Sequence, residues 1–213
     1  MKGIIFDLDG VICFTDEYHY FAWKQIADEE NIPFDRSDNE RLRGVSRKES
    51  LEIILEKSKK TYSEKEKDIL MERKNNIYKE QLQKMSEKDL SDEVKETLEA
   101  LKAKGLSLAI GSSSKNTKFI LNRIGLEDFF DAISDGTNIT KSKPDPEVFL
   151  KAADMLGLAP KDCLVVEDAH AGIDAAVVGG FKSAGIGSAK DYEKTTYPLE
   201  AFSDLRLVVE KNF

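Results

Sequence analysis

Two aspartates that are two residues apart, Asp7 and Asp9, follow a run of apolar residues near the start of the chain. Residues 3–6 are glycine or apolar, which is typical of a strand buried on both faces of a parallel sheet. Gly10 has the backbone freedom for the turn that ends this strand. Ligands bind at the carboxyl ends of such strands, so we expect both carboxylates at an active-site edge. The alternative interpretation is a turn that merely contains aspartate.

A segment of hydroxyl, amide and ammonium side chains follows a second apolar stretch, at residues 106–110. It consists of Ser112, Ser113, Ser114, Lys115 and Asn116. Where such a segment opens a helix, its hydroxyl and backbone N–H groups form a site for an anion. Helix capping without any ligand produces the same composition, and this is the alternative interpretation.

Lys143 follows a third predicted strand and lies between Ser142 and Pro144. Proline restricts the backbone of the residue before it, which suits an ammonium group that is held towards one place. A surface lysine in a loop is the alternative interpretation. The isomer of the Lys143–Pro144 peptide bond stays open at this point.

Glu167 and Asp168 follow the apolar run at residues 163–166. Together with Asp7 and Asp9 they bring four carboxylates to one edge of the predicted sheet. Without compensation such a cluster repels itself and takes up protons. A hard cation with oxygen ligands resolves the conflict, and Mg²⁺ fits best because it also binds phosphate oxygens. The residues therefore predict a magnesium-dependent site for phosphoryl transfer.

The elements that position these groups follow two patterns along the chain, a helical one and then an alternation of helices and strands. Helical spacing of apolar residues is found at 17–30, at 50–59, and from the capping-box pattern Ser63-x-x-Glu66 to Leu82. From about residue 88 helices and strands alternate. The helices are predicted at 92–104, at 115–124 and from Asp145 to Gly157, and the strands at 106–110, 132–134, 163–166, 181–186 and 205–209.

This alternation predicts an α/β fold with a Rossmann-like, doubly wound parallel sheet that has helices on both faces. The first strand belongs with the later repeats. Residues 1–13 and 86–213 are therefore expected to form the core domain, and residues 14–85 an inserted small α-helical cap domain. The cleft between the two is where we expect the substrate.

Composition limits the partners of this 213-residue chain. A formal net charge of −8 argues against nucleic acid as the main partner. No window approaches the ~18–20 apolar residues of a membrane span, and the first apolar run is too short for a secretory signal. Two cysteines, Cys13 and Cys163, are too few to suggest a disulfide framework. We therefore expect both to be small core residues and the protein to be in a reducing cytoplasm. Nothing in the sequence demands an oligomer, so a monomer is expected.

The four motifs resemble those of the haloacid dehalogenase superfamily of phosphotransferases, over nearly the full length. The matching pieces are Asp7-Leu8-Asp9-Gly10-Val11, Ser112, Lys143-Pro144 and Glu167-Asp168. The resemblance implies that Asp7 is the nucleophile and that Asp9 is the general acid/base. It also implies Mg²⁺ binding by Asp7, Glu167, Asp168 and the backbone carbonyl of Asp9.

The predicted cap resembles that of the phosphoglucomutases of this superfamily that act on β-glucose 1-phosphate. The matching pieces are residues 15–19 with Trp23, residues 42–50, residues 73–75 and, in the core, residues 114–116. The resemblance implies conversion of β-D-glucose 1-phosphate to glucose 6-phosphate through an aspartyl-phosphate and glucose 1,6-bisphosphate. It implies substrate contacts by Thr15, His19, Trp23, Arg43, Gly44, Val45, Arg47, Ser50, Lys74, Ser112, Ser113, Ser114, Lys115, Asn116 and Lys143. Arg43, where lysine is common, and Ala169-His170 depart from the pattern.

A mutase substrate has a second end, and its distant phosphate needs a cation of its own. Arg47 is the predicted one, with Lys74 and Arg43 as further positive charges, because arginine suits phosphate geometry. Arg47 as an ordinary first-turn helix residue is the alternative. His19 is expected to bond to Asp9 or a sugar hydroxyl and Trp23 to pack on a sugar face; otherwise His19 is a surface residue and Trp23 a core residue.

Two other functions use the same residues. A sugar-phosphate phosphatase would share every core residue and differ only in that water accepts the phosphoryl group. A catalytically idle regulator that binds Mg²⁺ or phosphate is the other alternative. It is disfavoured because a binding protein has no need of an acid/base at Asp9.

Overall fold

Six parallel strands form a single sheet. The computed structural model describes residues 1–43 and 45–212. The strands in them are β1 (Gly3–Phe6), β2 (Ser107–Gly111), β3 (Ala132–Ser134), β4 (Cys163–Glu167), β5 (Lys182–Gly185) and β6 (Tyr197–Pro198). Their order is β3-β2-β1-β4-β5-β6, and every neighbouring pair is parallel, with Ile5 opposite both Ala109 and Val165. This is the order of a Rossmann-like doubly wound sheet, so the predicted fold class is confirmed.

Among the described residues, five helices lie between β1 and β2, and four follow β2. Within the described residues the helices are α1 (Asp16–Glu29), α2 (Arg36–Glu40), α3 (Arg47–Leu55), α4 (Glu64–Leu82), α5 (Asp92–Ala103), α6 (Thr117–Arg123), α7 (Glu147–Met155), α8 (His170–Val178) and α9 (Leu205–Asn212). The chain therefore leaves the sheet directly after β1. No helix in the described ranges is long and apolar enough to cross a membrane.

Apolar side chains cover both faces of the sheet. Ile4 and Phe6 of β1 belong to a cluster with side chains of α5, α6 and α9, among them Leu98. Ile5, between them, belongs to a second cluster with side chains of α7 and α8, among them Phe149. Alternate residues of β1 thus face opposite layers of helices, as expected for a strand buried on both sides.

A third apolar cluster fills the interior of the helical insertion, by which we mean α1 to α4. It includes Trp23 of α1, Leu51 of α3 and Leu70 of α4. Tyr78 and Leu82, in the last two turns of α4, pack instead in the cluster on the sheet. The insertion is therefore anchored to the sheet at that end, while the limits 14–85 of a cap domain stay a prediction.

One predicted strand is a helix. Strand alternation would place Leu205, Leu207 and Val209 on one face, but Leu205 and Val209 are buried and Leu207 is 54% exposed. The observed pattern is the i, i+4 spacing of α9. The carboxylate of Asp204 accepts hydrogen bonds from the backbone N–H groups of residues 200 and 201, which forms the turn that leads into this helix.

Smaller differences have local causes. The capping box predicted at Ser63 and Glu66 is present at the start of α4. Ser46 forms a second capping box with Glu49, so α3 begins at Arg47 and not at Ser50. The short α2 and the two-residue β6 were not predicted, because neither is long enough to show a period. Both cysteines are buried free thiols, as expected for small core residues.

Candidate active site

A cavity of about 620 Å³ lies between the helical insertion and the carboxyl edge of the sheet. The predicted site residues that line it are Asp7, Asp9, His19, Trp23, Arg43, Val45, Arg47, Ser50, Lys74, Ser112, Ser113, Ser114, Lys115, Asn116, Lys143 and Asp168. Thr15 and Glu167 are buried beside the lining residues to which they bond. Gly44 lies outside the described residues. The structure thus brings together groups that are up to 161 positions apart in the sequence, from Asp7 to Asp168.

Three carboxylates and one ammonium group meet where β1 and β4 end. Lys143 Nζ donates hydrogen bonds to Asp7 Oδ1 at 2.5 Å and to Glu167 Oε1 at 2.6 Å. One carboxylate oxygen from each of Asp7, Glu167 and Asp168 lies within 4.8 Å of the other two. Lys143 is 1% exposed, so the alternative of a surface lysine is wrong. The Lys143–Pro144 peptide bond, left open by the sequence, is cis.

Two glycines make room for these carboxylates. A Cβ atom at Gly10 would lie 2.2 Å from Asp168 Oδ2, and Gly10 has a φ of +81° that disfavours other residues. A Cβ atom at Gly172 would lie 1.9 Å from the carboxyl carbon of Glu167. Any side chain at either position would displace a carboxylate of the cluster.

Negative charge is in excess in this cluster. Burial alone would lower the pKa of Lys143, but Asp7 and Glu167 raise it above its ordinary value, so the ammonium stays charged. Burial, with repulsion from Glu167 and Asp7, raises the pKa of Asp168 to about 8. One ammonium therefore does not compensate three carboxylates. A hard divalent cation fits this donor set, since all three side chains offer oxygen and the charge needs a counter-ion.

Asp9 has a different environment from Asp7. The Thr15 hydroxyl donates to Asp9 Oδ1, and the Tyr78 hydroxyl donates to Thr15 Oγ1 at 3.1 Å. Burial, together with the charge of Asp7, raises the pKa of Asp9 to about 7. Near neutral pH this carboxyl group is therefore able both to give and to take a proton. In the described ranges His19 bonds to Lys74 and Asp9 bonds to Thr15, so of the two partners expected for His19 only a sugar hydroxyl stays a prediction.

His19 is bonded to Lys74. The two nitrogens, His19 Nδ1 and Lys74 Nζ, are 2.7 Å apart. Burial lowers the pKa of His19, and the charge of Lys74 lowers it further, so the ring is neutral. His19 is half-buried, and its ring packs on Tyr78 with centroids 4.0 Å apart. The surface interpretation of His19 is therefore wrong.

Lys74 and Arg47 form a pair of buried or half-buried cations. Lys74 is 2% exposed and lies 4.5 Å from the ring centre of Tyr78 and 5.1 Å from that of Trp23. Burial and the charge of Arg47 lower the pKa of Lys74, and Asp9 only partly opposes this. Trp23 packs in the core of the insertion and also lines the cavity, so both interpretations of Trp23 apply in part.

Arg47 is the first residue of α3, and its guanidinium faces two amides. Its Nη2 donates to Asn75 Oδ1 at 2.7 Å, and Asn116 Nδ2 donates to the same oxygen at 3.1 Å. Burial lowers the pKa of Arg47. Within the described ranges, no carboxylate lies within 4.0 Å of the charged nitrogens of Arg47 or Lys74.

Arg43, in contrast, has acidic partners. It forms an ion pair with Asp16, and its Nη1 lies 3.9 Å from Asp168 Oδ2. The structure thus places this arginine beside the carboxylate cluster with its charge already compensated. Its contribution to a distant phosphate stays a prediction.

The serine-rich segment links the sheet edge to the amides near Arg47. Ser112 Oγ accepts from the N–H of Ser114, and Ser114 Oγ accepts from the N–H of Asn116, each at 3.2 Å. These bonds organise the turn before α6, whose N-cap residue, Asn116, makes no side-chain capping bond. Ser113 Oγ is buried beside the cavity and has no partner among the described residues. The segment therefore both precedes a helix and offers polar groups to the cavity.

Some lining residues were missed by the motifs. Asp16, Asn39, Asn75 and Tyr78 also line the cavity. Tyr78 lies four residues after Lys74 on α4, and this helical spacing was a usable signal. Asp16 and Asn75 belong to matched segments without being among the predicted site residues, and nothing in the sequence marks Asn39.

The sheet order, the inserted helices and the carboxylate–lysine centre define a phosphotransferase class. Residues 1–180 match the haloacid dehalogenase-like hydrolase family, and the chain belongs to it. Within it the chain is similar to β-phosphoglucomutase of Bacillus subtilis (strain 168), at 44% identity over 97% of this chain and 92% of that protein. The predicted family is therefore confirmed, and so is the predicted kind of enzyme.

Two further relatives bear on the activity. The crystal structure of β-phosphoglucomutase from Clostridium difficile has a TM-score of 0.93 at 37% identity, and covers 99% of this chain and 96% of that one. A phosphorylated carbohydrates phosphatase of Thermotoga maritima is 32% identical over 87% of this chain and 82% of its own length. The family thus includes similar mutases and similar phosphatases.

Proposed function

We propose that this enzyme is a β-phosphoglucomutase that interconverts β-D-glucose 1-phosphate and glucose 6-phosphate through glucose 1,6-bisphosphate. One observation carries the proposal: the cavity has two places that suit a phosphate. One is the carboxylate–lysine centre around Lys143. The other is the pair Arg47 and Lys74, which has no carboxylate partner in the described residues. A bisphosphate has a phosphate at each end and satisfies both.

The nucleophile in this proposal is Asp7. Its carboxylate attacks phosphorus in line, the bond from phosphorus to the sugar oxygen breaks, and an aspartyl-phosphate forms. Lys143 holds Asp7 through its 2.5 Å bond and lies where charge develops on the phosphoryl oxygens. The hydroxyls and N–H groups that begin at Ser112 are the other donors proposed for those oxygens.

A bound Mg²⁺ would be held by Asp7, Asp168, Glu167 and the backbone carbonyl of Asp9. When bound, it supplies positive charge that offsets the charge of the phosphoryl oxygens. Glu167 has a further function in this arrangement. Its Oε1 accepts from Lys143, and its Oε2 accepts from the N–H groups of residues 168 and 169, so it also orients the lysine.

Asp9 is the proposed acid and base. It gives a proton to the sugar oxygen as that oxygen leaves, and takes one from the sugar hydroxyl that attacks the aspartyl-phosphate in the second half. A pKa of about 7 suits both directions. Thr15 orients the carboxylate, and closure of the insertion over the sheet edge, as a cap of residues 14–85, excludes water as the competing acceptor.

The alternative is a sugar-phosphate phosphatase of the same architecture. It is favoured by the phosphatase relative, whose sequence is 32% identical to this chain. The core residues are common to both reactions, so only the residues of the insertion distinguish them. We also propose, from the sequence expectations, that the enzyme is a cytoplasmic monomer.

A product assay separates the two functions. The enzyme is given β-glucose 1-phosphate, Mg²⁺ and a trace of glucose 1,6-bisphosphate, and glucose 6-phosphate is measured against free phosphate. We expect glucose 6-phosphate to predominate and the Asp7→Asn variant to form neither product. Predominant free phosphate would replace the mutase with the phosphatase, and full activity of Asp7→Asn would overturn the mechanism.

A further inference from the structure

Asn75 connects two groups that approach the cavity from different parts of the fold. Arg47 comes from α3 in the helical insertion, and Asn116 comes from the segment after β2. Both donate to one atom, Asn75 Oδ1, at 2.7 Å and 3.1 Å. Two donors that converge on one oxygen form the arrangement that an oxygen of a phosphate needs.

The acceptor between these donors is neutral. An amide oxygen satisfies the donors and fixes their directions, but it leaves the positive charge of Arg47 uncompensated. A phosphate oxygen carries negative charge and forms stronger bonds with the same donors. Exchange of the amide for a phosphate is therefore favourable, whereas a carboxylate at this position would compete with the phosphate and repel it.

We propose that Asn75 is a positioning residue that takes the place of a phosphate oxygen until the second phosphate of the substrate binds. The inference rests on the proposed function, in which Arg47 contacts that phosphate. It adds that the site is held open for an anion by a neutral side chain of α4. The bond to Asn116 also ties the insertion to the sheet side of the cavity.

Three substitutions test the proposal. Asn75→Asp keeps the size and the acceptor oxygen but adds negative charge. Asn75→Ala removes the acceptor without adding charge. Asn76→Asp is the matched control, because Asn76 is the next residue of α4 and is exposed. All three are made in the Asp7→Asn background, and binding of glucose 1,6-bisphosphate is measured by isothermal titration calorimetry.

We expect Asn75→Asp to weaken binding by about 10- to 100-fold and Asn75→Ala by about 3- to 10-fold. Asn76→Asp should stay within about twofold, because an exposed charge is screened. Equal affinities for Asn75→Asp and Asn76→Asp, or an Asn75→Asp affinity within about twofold of the parent, would overturn the inference. Thermal melts establish that each variant is folded.

With Asp7 intact, Asn75→Ala should raise KM more than it lowers kcat, because it weakens substrate binding and not the chemical step. A fall in kcat alone would contradict the assigned role. The binding measurement involves no turnover, so its outcome does not depend on whether water or sugar accepts the phosphoryl group. Failure of this inference is thus distinguishable from failure of the mutase proposal in the product assay.

Discussion

The two aspartates of the first motif show how neighbouring carboxylates acquire different chemistry. Asp7 faces the ammonium of Lys143 and lies close to two further carboxylates. Asp9 faces the hydroxyl of Thr15, and its pKa is raised to about 7. Pairs of titratable groups with environments this different are the usual basis for separate catalytic functions.

Substitution of Asp9 by asparagine tests that assignment. The amide keeps the size and an acceptor for Thr15, but it is unable to donate or accept the proton that is transferred. We expect kcat to fall by about 10²- to 10⁴-fold, the usual contribution of general acid/base catalysis. Steady-state assays measure this, and phosphate should still bind to the variant. Thr15→Val is the control for lost orientation of Asp9 alone, and we expect it to lower kcat by a smaller factor than Asp9→Asn does. A kcat of Asp9→Asn within about tenfold of the parent would remove Asp9 from the mechanism.

At the scale of elements, the loop that contains Lys143 is attached to α7. Glu147 Oε2 accepts from the N–H and hydroxyl of Thr140 at 2.9 Å and from the N–H of Lys141 at 2.8 Å. Lys151, one turn later, pairs with the other oxygen at 2.8 Å. One carboxylate in the first turn of a helix thus closes the loop that presents the buried lysine.

The ion pair with Lys151, together with the bonds from Lys141 and Thr140, lowers the pKa of Glu147 from 4.5 to about 2. A lowered carboxyl pKa gives stability that is present above pH 4.5 and lost as the pH falls towards 2. We expect the free energy of unfolding to decrease more steeply over that range in the parent than in Glu147→Gln. Urea unfolding at a series of pH values measures this. Glu193→Gln, at an exposed position, is the control; parallel pH profiles for the parent and Glu147→Gln would refute the assignment.

Several elements were readable from the sequence because their signals are local. The capping box at Ser63 and Glu66 marks the start of α4, and apolar strands followed by polar residues mark β1 and β4. The helix at Leu205 was misassigned because five residues rich in leucine and valine fit both periods. The preceding turn, in which the Asp204 carboxylate accepts from two backbone N–H groups, leads into the helix. Such a turn has no apolar pattern that could be recognised in the sequence.

The sequence predicts which residues lie together at the candidate site, but it does not predict which hydrogen bonds they form there. The strand-end motifs select Asp7, Lys143 and Asp168 because parallel strands bring their carboxyl ends to one edge. The partner of Asp9 depends on how α1 is oriented over that edge, and residue spacing does not contain this. The contact of Asn75 with Arg47 likewise requires the packing of α3 on α4, so the sequence offered it only as part of a matched segment.

At the scale of the whole molecule, the proposed function requires an enzyme with a formal net charge of −8 to bind anionic sugar phosphates. It does so by separating charge within one cavity. The sheet contributes carboxylates that require a cation, and the insertion contributes Lys74 and Arg47, which require an anion. Because each end of the cavity concentrates charge of one sign, we expect a ligand of the opposite charge at either end to stabilise the fold.

Magnesium is the ligand for which this expectation is most direct, because burial and repulsion raise the pKa of Asp168 to about 8 and a cation would relieve both. Mg²⁺ at about 100 times its Kd should add about 2.7 kcal/mol to the free energy of unfolding and raise Tm by about 5–10 °C. Differential scanning calorimetry with EDTA or Mg²⁺ measures this. The Asp168→Asn variant should lose most of the increase in Tm that Mg²⁺ causes. The Asp191→Asn variant, which has the same change at an exposed position, should keep that increase. An equal increase in both variants would place the bound cation elsewhere.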